Sequence, residues 1–71
     1  MITSKPFAIS TARVNNGLSM RQLAAKSSVN AATISIIESR PKSVTPGTAK
    51  RVCDALGVDM SELFEINLKQ A

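Results

Sequence analysis

The stretch Ser19–Ile37, SMRQLAAKSSVNAATISII, predicts two short helices separated by a tight turn. Ser19 and Gln22 fit the capping box, in which the two side chains satisfy backbone N–H groups at a helix start. Asn30 is a strong N-cap for the second helix, expected over residues 31–39. That helix then presents small, nearly uncharged residues to solvent, a surface suited to fit against a partner. The apolar residues expected to face inward are Leu23, Ala24, Val29, Ile34 and Ile37.

The residues before this stretch predict one more helix. Met1–Lys5 is expected to be a short arm, with Ser4 as the N-cap and Pro6 in the first turn, where its missing N–H costs nothing. Gly17 is expected to take the left-handed conformation that ends the helix. Arg13 lies in the last turn, where the helix dipole favours a cation. Apolar candidates on this helix are Ile9 and Ala12 on one face, with Phe7 and Val14 nearby.

The residues after the stretch predict a loop and then a fourth helix. Arg40–Ser43 is expected to be a loop, because proline disfavours helix at the residue before it. Thr45 and Pro46 form an N-cap and a first helical position, and the helix is expected to reach about Leu56 and to end at Gly57. Its inner face is expected to hold Ala49, Val52, Cys53 and Leu56.

A final short helix completes the predicted fold. Asp59–Glu62 has the form of another capped start and leads to Leu63 and Phe64, and residues 65–71 are expected to be a tail or a frayed final turn. The prediction is therefore an all-α class, a compact bundle of about five short helices. A chain of 71 residues supports one domain, here residues 1–71 with a core over about 6–64.

Composition and charge narrow the class of protein. Apolar residues make up 44% of the chain, in runs far shorter than the roughly 20 residues that cross a bilayer. The single cysteine cannot form an internal disulfide, and no secretion signal is visible, so a cytoplasmic protein is expected. Residues 1–42 carry six basic side chains and one acidic, whereas residues 43–71 carry three basic and four acidic. A basic half of this kind is typical of polyanion binders, although it also occurs on ordinary solvated surfaces.

Catalysis has little support in the sequence. The chain has no histidine, and its one cysteine lies in an apolar context. It has no carboxylate pair at metal or acid–base spacing and no glycine-rich phosphate loop. We therefore expect no enzymatic activity, no metal site and no cofactor.

The order and spacing of these features resemble the Cro/CI-type helix-turn-helix regulators of phages and bacteria, the XRE family. The resemblance covers about Ile9 to Phe64, nearly the whole chain. Two short helices joined by about four residues define the motif itself. The matching segments are Gly17-Leu18-Ser19, Leu23-Ala24, Val29, Thr33-Ile34-Ser35, Ile37-Glu38, Ala55-Leu56-Gly57-Val58-Asp59 and Ser61-Glu62-Leu63-Phe64.

The resemblance implies a lambda-repressor-like domain that lays its third helix in the major groove of double-stranded DNA. Such a protein is expected to be a cytoplasmic, nucleoid-associated transcriptional regulator, most simply a repressor, that binds a two-fold operator as a homodimer. The residues nominated to contact bases are Asn30, Ala31, Ala32, Thr33, Ser35, Ile36 and Ser39. Those nominated to contact phosphate are Ser19, Met20, Arg21, Gln22, Arg40, Lys42 and Ser43. The expected dimer interface is the fifth helix and tail, around Leu63, Phe64, Ile66 and Leu68.

The sequence departs from the family pattern at three places. Met20 stands where the family commonly has a glutamine that binds phosphate, so Arg21 or Gln22 is expected to substitute. Ser28 stands where the turn commonly has glycine, and a left-handed serine is mildly strained. The recognition face also lacks Arg, Lys and Gln, the side chains best suited to bidentate base contacts, and only Asn30 is chemically capable of one here. Direct base readout is therefore expected to be modest, with phosphate contacts and DNA shape contributing much of the binding.

Several residues and the function itself have competing interpretations. Ile36 either contacts a thymine methyl group, covers a neighbouring side chain or contacts another protein. Glu38 is expected to be structural, capping or pairing with Arg13, Arg21 or Arg40, and Cys53 is expected to lie in the core. Lys50 and Arg51 are either phosphate contacts or a plain exposed face. The alternative function is a protein-interaction module of the same fold, such as an antirepressor or an antitoxin-like partner, and RNA binding is a weaker third option.

Overall fold

The computed structural model describes residues 1–67, in which five helices pack around one core and a small antiparallel sheet ties together both ends of this region. The helices are α1 (Pro6–Asn15), α2 (Met20–Ser27), α3 (Ala31–Ser39), α4 (Pro46–Leu56) and α5 (Met60–Leu63). The strands are β1 (Ile2–Ser4), β2 (Ser43–Val44) and β3 (Phe64–Ile66). The five expected helices are present, but the all-α description is only approximate because of the sheet.

The first strand lies in the middle of the sheet, in the order β2-β1-β3. Ile2 is opposite Val44 on one side and opposite Ile66 on the other. Ile2 and Ser4 are buried while Thr3 between them is half-buried, the alternation of a strand that covers a core. The expected arm at residues 1–5 and the expected tail after Phe64 are therefore wrong within the described residues. A three-residue strand is too short for its period to be recognised in the sequence.

Ser4 does not cap α1. Lys5 occupies the N-cap position without a side-chain hydrogen bond, and Pro6 begins the helix as expected. The Ser4 side chain points inward from the strand, where its Oγ donates to the carbonyl of Arg40 at 3.1 Å and accepts from the N–H of Lys42 at 2.8 Å. A serine two residues before a proline fits both roles, and only the position of the strand decides between them.

The helix-turn-helix elements form as predicted. The N–H of Gln22 donates to Ser19 Oγ at 3.1 Å, and the N–H of Ser19 donates to Gln22 Oε1 at 2.8 Å, which completes the capping box. Asn30 Oδ1 accepts from the N–H of Ala32 at 2.7 Å and caps α3. The predicted inward-facing residues Leu23, Ala24, Val29, Ile34 and Ile37 are all buried.

The turn between α2 and α3 has a left-handed residue at Ser28, with φ of 59°. Its N–H donates to the carbonyl of Ala24, which closes the end of α2. A side chain at positive φ crowds its own backbone, at a cost of roughly 1–2 kcal/mol. The strain expected from the absence of glycine at this position is therefore present.

Replacing Ser28 with glycine is expected to stabilise the domain. The Ser28→Gly change removes the left-handed strain but adds chain entropy to the unfolded state, which leaves a net gain of roughly 0.5–1 kcal/mol. Thermal unfolding followed by circular dichroism should show a midpoint higher by a few degrees, about 4–8 °C for each kcal/mol. The matched control is Ala25→Gly on the exposed face of α2, which should lower the midpoint; equal effects of the two changes would contradict the strain argument.

Helix α1 buries Ile9 completely and ends as predicted, with Gly17 at φ of 70°. Ala12 packs against the core. Phe7 and Val14, the further apolar candidates, are 86% and 63% exposed, so neither belongs to the core. The reason is their helical spacing from Ile9, which places both side chains on the opposite side of the helix.

Helices α4 and α5 complete the core. Thr45 caps α4 by accepting from the N–H of Thr48 at 3.3 Å, Pro46 occupies its first turn, and Gly57 ends it at φ of 70°. Asp59 begins α5 without a side-chain cap. Ser43 belongs to β2, so the expected loop at 40–43 is one residue shorter. The predicted inner residues of α4, namely Ala49, Val52, Cys53 and Leu56, are all buried.

Cys53 is a core residue, as the sequence indicates. Burial raises the pKa of its thiol to about 11, so the side chain stays a neutral, apolar-like group at physiological pH. Leu63 and Phe64 are also almost completely buried, and they therefore cannot supply the side chains of the expected dimer interface. Ile66 is exposed at the sheet, and Leu68 lies outside the described residues.

Candidate nucleic-acid interface

The outer surface of α3 consists of small side chains on a helix that is fixed from the inside. Ile34 and Ile37 are fully buried beneath it. The residues nominated to contact bases are accessible to different degrees: Asn30, Ala31, Ala32, Ser35 and Ser39 are exposed, and Thr33 and Ile36 are half-buried. The structure therefore brings all seven nominated residues to one helix and its N-cap, and it leaves five of them open to solvent.

Asn30 is the one nominated side chain able to make a bidentate contact with a base. Its Oδ1 already accepts from the N–H of Ala32, while its amide nitrogen is a separate donor group. Bidentate recognition of adenine uses both the oxygen and the nitrogen of the amide. The capping role of Asn30 thus competes with full base readout, in line with the modest direct readout expected from the sequence.

Ile36 and Thr33 line a crease between α3 and the start of α4, with a volume of about 250 Å³. The other lining residues are Lys42, Ser43, Val44, Thr45 and Thr48. Ile36 is half-buried beside this crease, so part of its surface is covered within the domain and part remains accessible. Thr45 and Thr48 were not nominated from the sequence, in which Thr45 was singled out only as the N-cap of α4.

The loop after α3 carries two exposed cations, Arg40 and Lys42, and is held by β1. Three hydrogen bonds join Ser4 to this loop: the two made by its Oγ and one from its N–H to the carbonyl of Lys42 at 2.9 Å. The loop backbone is therefore fixed although its side chains are exposed. Sequence reasoning missed Ser4 because its partners lie 36 to 38 residues away.

The start of α2 offers a second group of nominated residues. Ser19, Met20, Arg21 and Gln22 are all exposed. The Ser19 and Gln22 side chains are already engaged in the capping box. Arg21 is the cation of this group, and the N-terminus of α2 adds the positive end of the helix dipole. An anion near this helix start would therefore meet one cationic side chain and oriented backbone N–H groups.

Glu38 and Arg13 form a buried bridge between α3 and α1. The Glu38 side chain is 1% exposed, and its Oε2 accepts from Arg13 Nε at 2.8 Å. Its Oε1 accepts from Ser10 Oγ at 2.7 Å, and Arg13 Nη1 donates to the carbonyl of Leu18 at 2.7 Å. The structural role expected for Glu38 is confirmed, with Arg13 as its partner. The network ties the end of α3 to α1 and to the segment that precedes α2.

Other chemistry finds little support in the described residues. Within residues 1–67, no group of histidine, cysteine, aspartate and glutamate side chains could hold a metal ion. No helix in this region is long and apolar enough to span a bilayer.

Lys50 pairs with Asp54 at 2.9 Å on the exposed side of α4, and Arg51 is exposed beside them.

Comparison with known proteins supports the motif. A family model described as "Helix-turn-helix" matches residues 9–63, which is more than half of the chain. The match includes α2 and α3 together with most of α1 and all of α4 and α5. Comparison with curated proteins and with solved structures gives no significant match. The fold, the capped helices 2 and 3 and the family match agree: this chain belongs to the Cro/CI-type helix-turn-helix family.

Proposed function

We propose that the protein binds double-stranded DNA with sequence preference and acts as a transcriptional repressor, with α3 lying in the major groove. The observation that carries this proposal is the outer face of α3, which is free of charged and bulky polar groups while its inner face is fixed by the core. A rigid helix with a slim outer face fits a groove about 12 Å wide. Membership in the helix-turn-helix family supports the same function.

Phosphate contacts are proposed to supply most of the affinity. Arg40 and Lys42 extend from a loop whose backbone is held by Ser4, so their charges are presented from a fixed base. Arg21 lies at the start of the other helix of the motif. Each phosphate neutralised by such a cation releases counterions, which makes affinity fall as salt rises. The remaining proposed phosphate contacts are Ser19, Met20, Gln22 and Ser43.

Base contacts are proposed to add preference at a few positions. Ala31, Ala32 and Ile36 have the apolar surfaces that contact thymine methyl groups. Thr33 and Ser35 each carry one hydroxyl for a single hydrogen bond, whereas Ser39 already donates its hydroxyl proton to the carbonyl of Ile36 at 3.0 Å and offers a base only an acceptor. Sequence-dependent shape and deformability of the DNA then contribute the rest of the specificity.

The protein is further proposed to bind a two-fold site as a homodimer. Two helices that enter successive major grooves on one side of the duplex double the contact area and require a palindromic site.

Repression needs only that the bound protein occlude a promoter, which a small domain on its operator accomplishes.

A mobility-shift assay with a salt titration tests DNA binding directly. Duplexes selected from a random pool should bind at low salt, and affinity should fall steeply as the salt concentration increases. Binding that is absent even at about 50 mM salt would overturn the proposal and favour a protein-interaction module, because non-specific binding of a basic domain is strong at that ionic strength.

Two substitutions separate the proposed roles. Arg40→Ala should weaken binding to every duplex alike and reduce the slope of log affinity against log salt by about 0.9. Asn30→Ser should instead reduce the preference for the selected site by about fivefold, near the low end of the 1–3 kcal/mol of a base contact, while serine keeps the N-cap of α3. Both effects are read from binding curves on selected and scrambled duplexes. The opposite pattern would mean that the two roles are assigned to the wrong residues.

A further inference from the structure

Helix α1 has an outer stripe, Phe7, Thr11 and Val14, that the core and the proposed DNA interface leave unused. The three residues are spaced four and three apart, so they lie along one side of the helix, opposite the buried Ile9. Within the described residues, Phe7 is the most exposed large apolar side chain. Aromatic residues are enriched in interface cores relative to the rest of a protein surface.

The stripe carries no charge. The only charged residue of α1 is Arg13, which turns inward to Glu38. By contrast, α2 exposes Arg21 and Lys26, and α4 exposes Lys50, Arg51 and Asp54. Contact through the stripe therefore requires no charged group to lose its hydration, which is a main cost of burying polar surface.

A shallow groove of about 400 Å³ runs beside the stripe, between α1 and α5. Its apolar lining comes from Ala8 and Ala12 on α1 and from Val58 and Leu63 near α5, and its one charged lining residue is the exposed Glu62. The small alanine side chains allow another helix to approach closely. Phe7 and Thr11 belong to both the stripe and the groove, so the two form one continuous docking face.

We propose that this face is the interface of a homodimer, in which α1 of one copy packs antiparallel against α1 of a second copy. The inference rests on the homodimeric state in the proposed function and names its surface. Each chain has a net charge of +4, so two copies that met through their basic surfaces would repel each other. The uncharged stripe avoids that repulsion, whereas a strongly charged partner protein would find no complementary charge on it.

The pattern of the stripe is self-complementary under two-fold symmetry. In a two-fold interface, if residue i contacts residue j, then j contacts i. Phe7 and Val14 are separated by about 10 Å along the helix axis. An antiparallel pair places Phe7 of each copy against Val14 of the other, with the small Thr11 of both copies near the symmetry axis. Small residues at the crossing let the helix axes approach to the usual 8–10 Å.

The size of the face predicts a weak dimer. An aromatic residue buries about 150–250 Å², so the two Phe7 side chains supply only part of the roughly 1,200 Å² that marks the lower limit of stable interfaces. We therefore expect dissociation at low micromolar concentrations and association above them, near −8 kcal/mol or weaker. None of the residues proposed to contact DNA lies on this face, so dimerisation leaves them uncovered.

Charge-swap variants test the interface by sedimentation equilibrium without DNA. Phe7→Glu and Val14→Lys are each expected to weaken the dimer at least tenfold, because each buries one unpaired charge from each copy, two in all. The double variant F7E/V14K should regain at least part of the lost affinity, since the antiparallel arrangement sets each new carboxylate against a new ammonium group. A carboxylate in the first turn and an ammonium in the last turn of α1 both suit the helix dipole, so folding is retained, as circular dichroism can verify.

The control is Ile66→Gln, which changes an exposed apolar residue outside the face and should leave dimerisation unaltered. The proposal is overturned if the wild type stays monomeric up to about 1 mM, where even an interaction of −4 kcal/mol is visible. It is also overturned if Ile66→Gln alone dissociates the dimer, or if the double variant is no better than the single ones. A monomer that still shifts duplex DNA would contradict the proposed interface and support DNA binding. A dimer that fails to shift DNA would support the interface and contradict the proposed function.

Discussion

Glu38→Ala is expected to lower the free energy of unfolding by about 3–5 kcal/mol, the cost of removing one partner from a buried ion pair. The Glu38 carboxylate is almost completely buried and accepts hydrogen bonds from both Arg13 and Ser10. Without it, the Arg13 guanidinium keeps only its bond to the carbonyl of Leu18. Because small domains have a total stability of about 5–15 kcal/mol, the variant should lie near the threshold of folding.

Urea unfolding followed by circular dichroism measures this loss. The matched control is Asp54→Ala, which breaks the exposed pair with Lys50 and should cost no more than about 0.5 kcal/mol. Glu38→Gln removes the charge but keeps the shape of the side chain. We expect its loss in free energy of unfolding to lie between those of Glu38→Ala and Asp54→Ala. Equal effects of Glu38→Ala and Asp54→Ala would contradict a structural role for the buried pair.

The consequence for function follows from where the pair lies. Glu38 is near the end of α3, and its partner is on α1, so the pair helps to set the direction in which α3 leaves the core. If Glu38→Gln is folded at low temperature, any loss of DNA affinity there reports on the orientation of α3 rather than on unfolding. The sequence indicated Arg13 as one of three candidate partners for Glu38. Only the packing of α1 against α3 decides among the three.

The parts of the fold that the sequence predicts well are local. The capping box of Ser19 and Gln22, the Asn30 cap and the Thr45-Pro46 start each depend on residues within three positions of one another. Because these capping hydrogen bonds join residues that are close in sequence, the sequence alone predicts the helix starts accurately. The inner faces of α2, α3 and α4 are likewise set by spacing of three and four.

The parts that the sequence does not predict depend on distant partners. Ile2 pairs with Val44 and with Ile66, which lie 42 and 64 positions further along the chain. No local feature of a three-residue strand predicts this pairing. Phe7 is apolar and close to Ile9, yet the direction of packing exposes it. In the candidate site, the nominated residues follow from the family resemblance, and their contacts with DNA remain predictions. The support of the Arg40–Lys42 loop by Ser4 could not be predicted, because it depends on the sheet.

Deletion of residues 2–4, which keeps Met1, is expected to lower the free energy of unfolding by at least about 4 kcal/mol. The deletion removes the buried side chain of Ile2, worth about 2–5 kcal/mol, and the strand that both β2 and β3 pair with. It also removes the two hydrogen bonds that Ser4 Oγ makes with the backbone of Arg40 and Lys42, each worth about 0.5–1.5 kcal/mol.

The measurement is the thermal midpoint, expected to fall by roughly 15–30 °C at about 4–8 °C per kcal/mol. Thr3→Ala is the control within the same strand, because Thr3 is only half-buried, and it should cost less than about 1 kcal/mol. A short arm at residues 1–5 that makes no contact with the core would instead leave the midpoint unchanged. Ser4→Ala isolates the loop: if β1 holds Arg40 and Lys42 in place for phosphate, this variant should lose affinity for every duplex alike, in the same manner as Arg40→Ala.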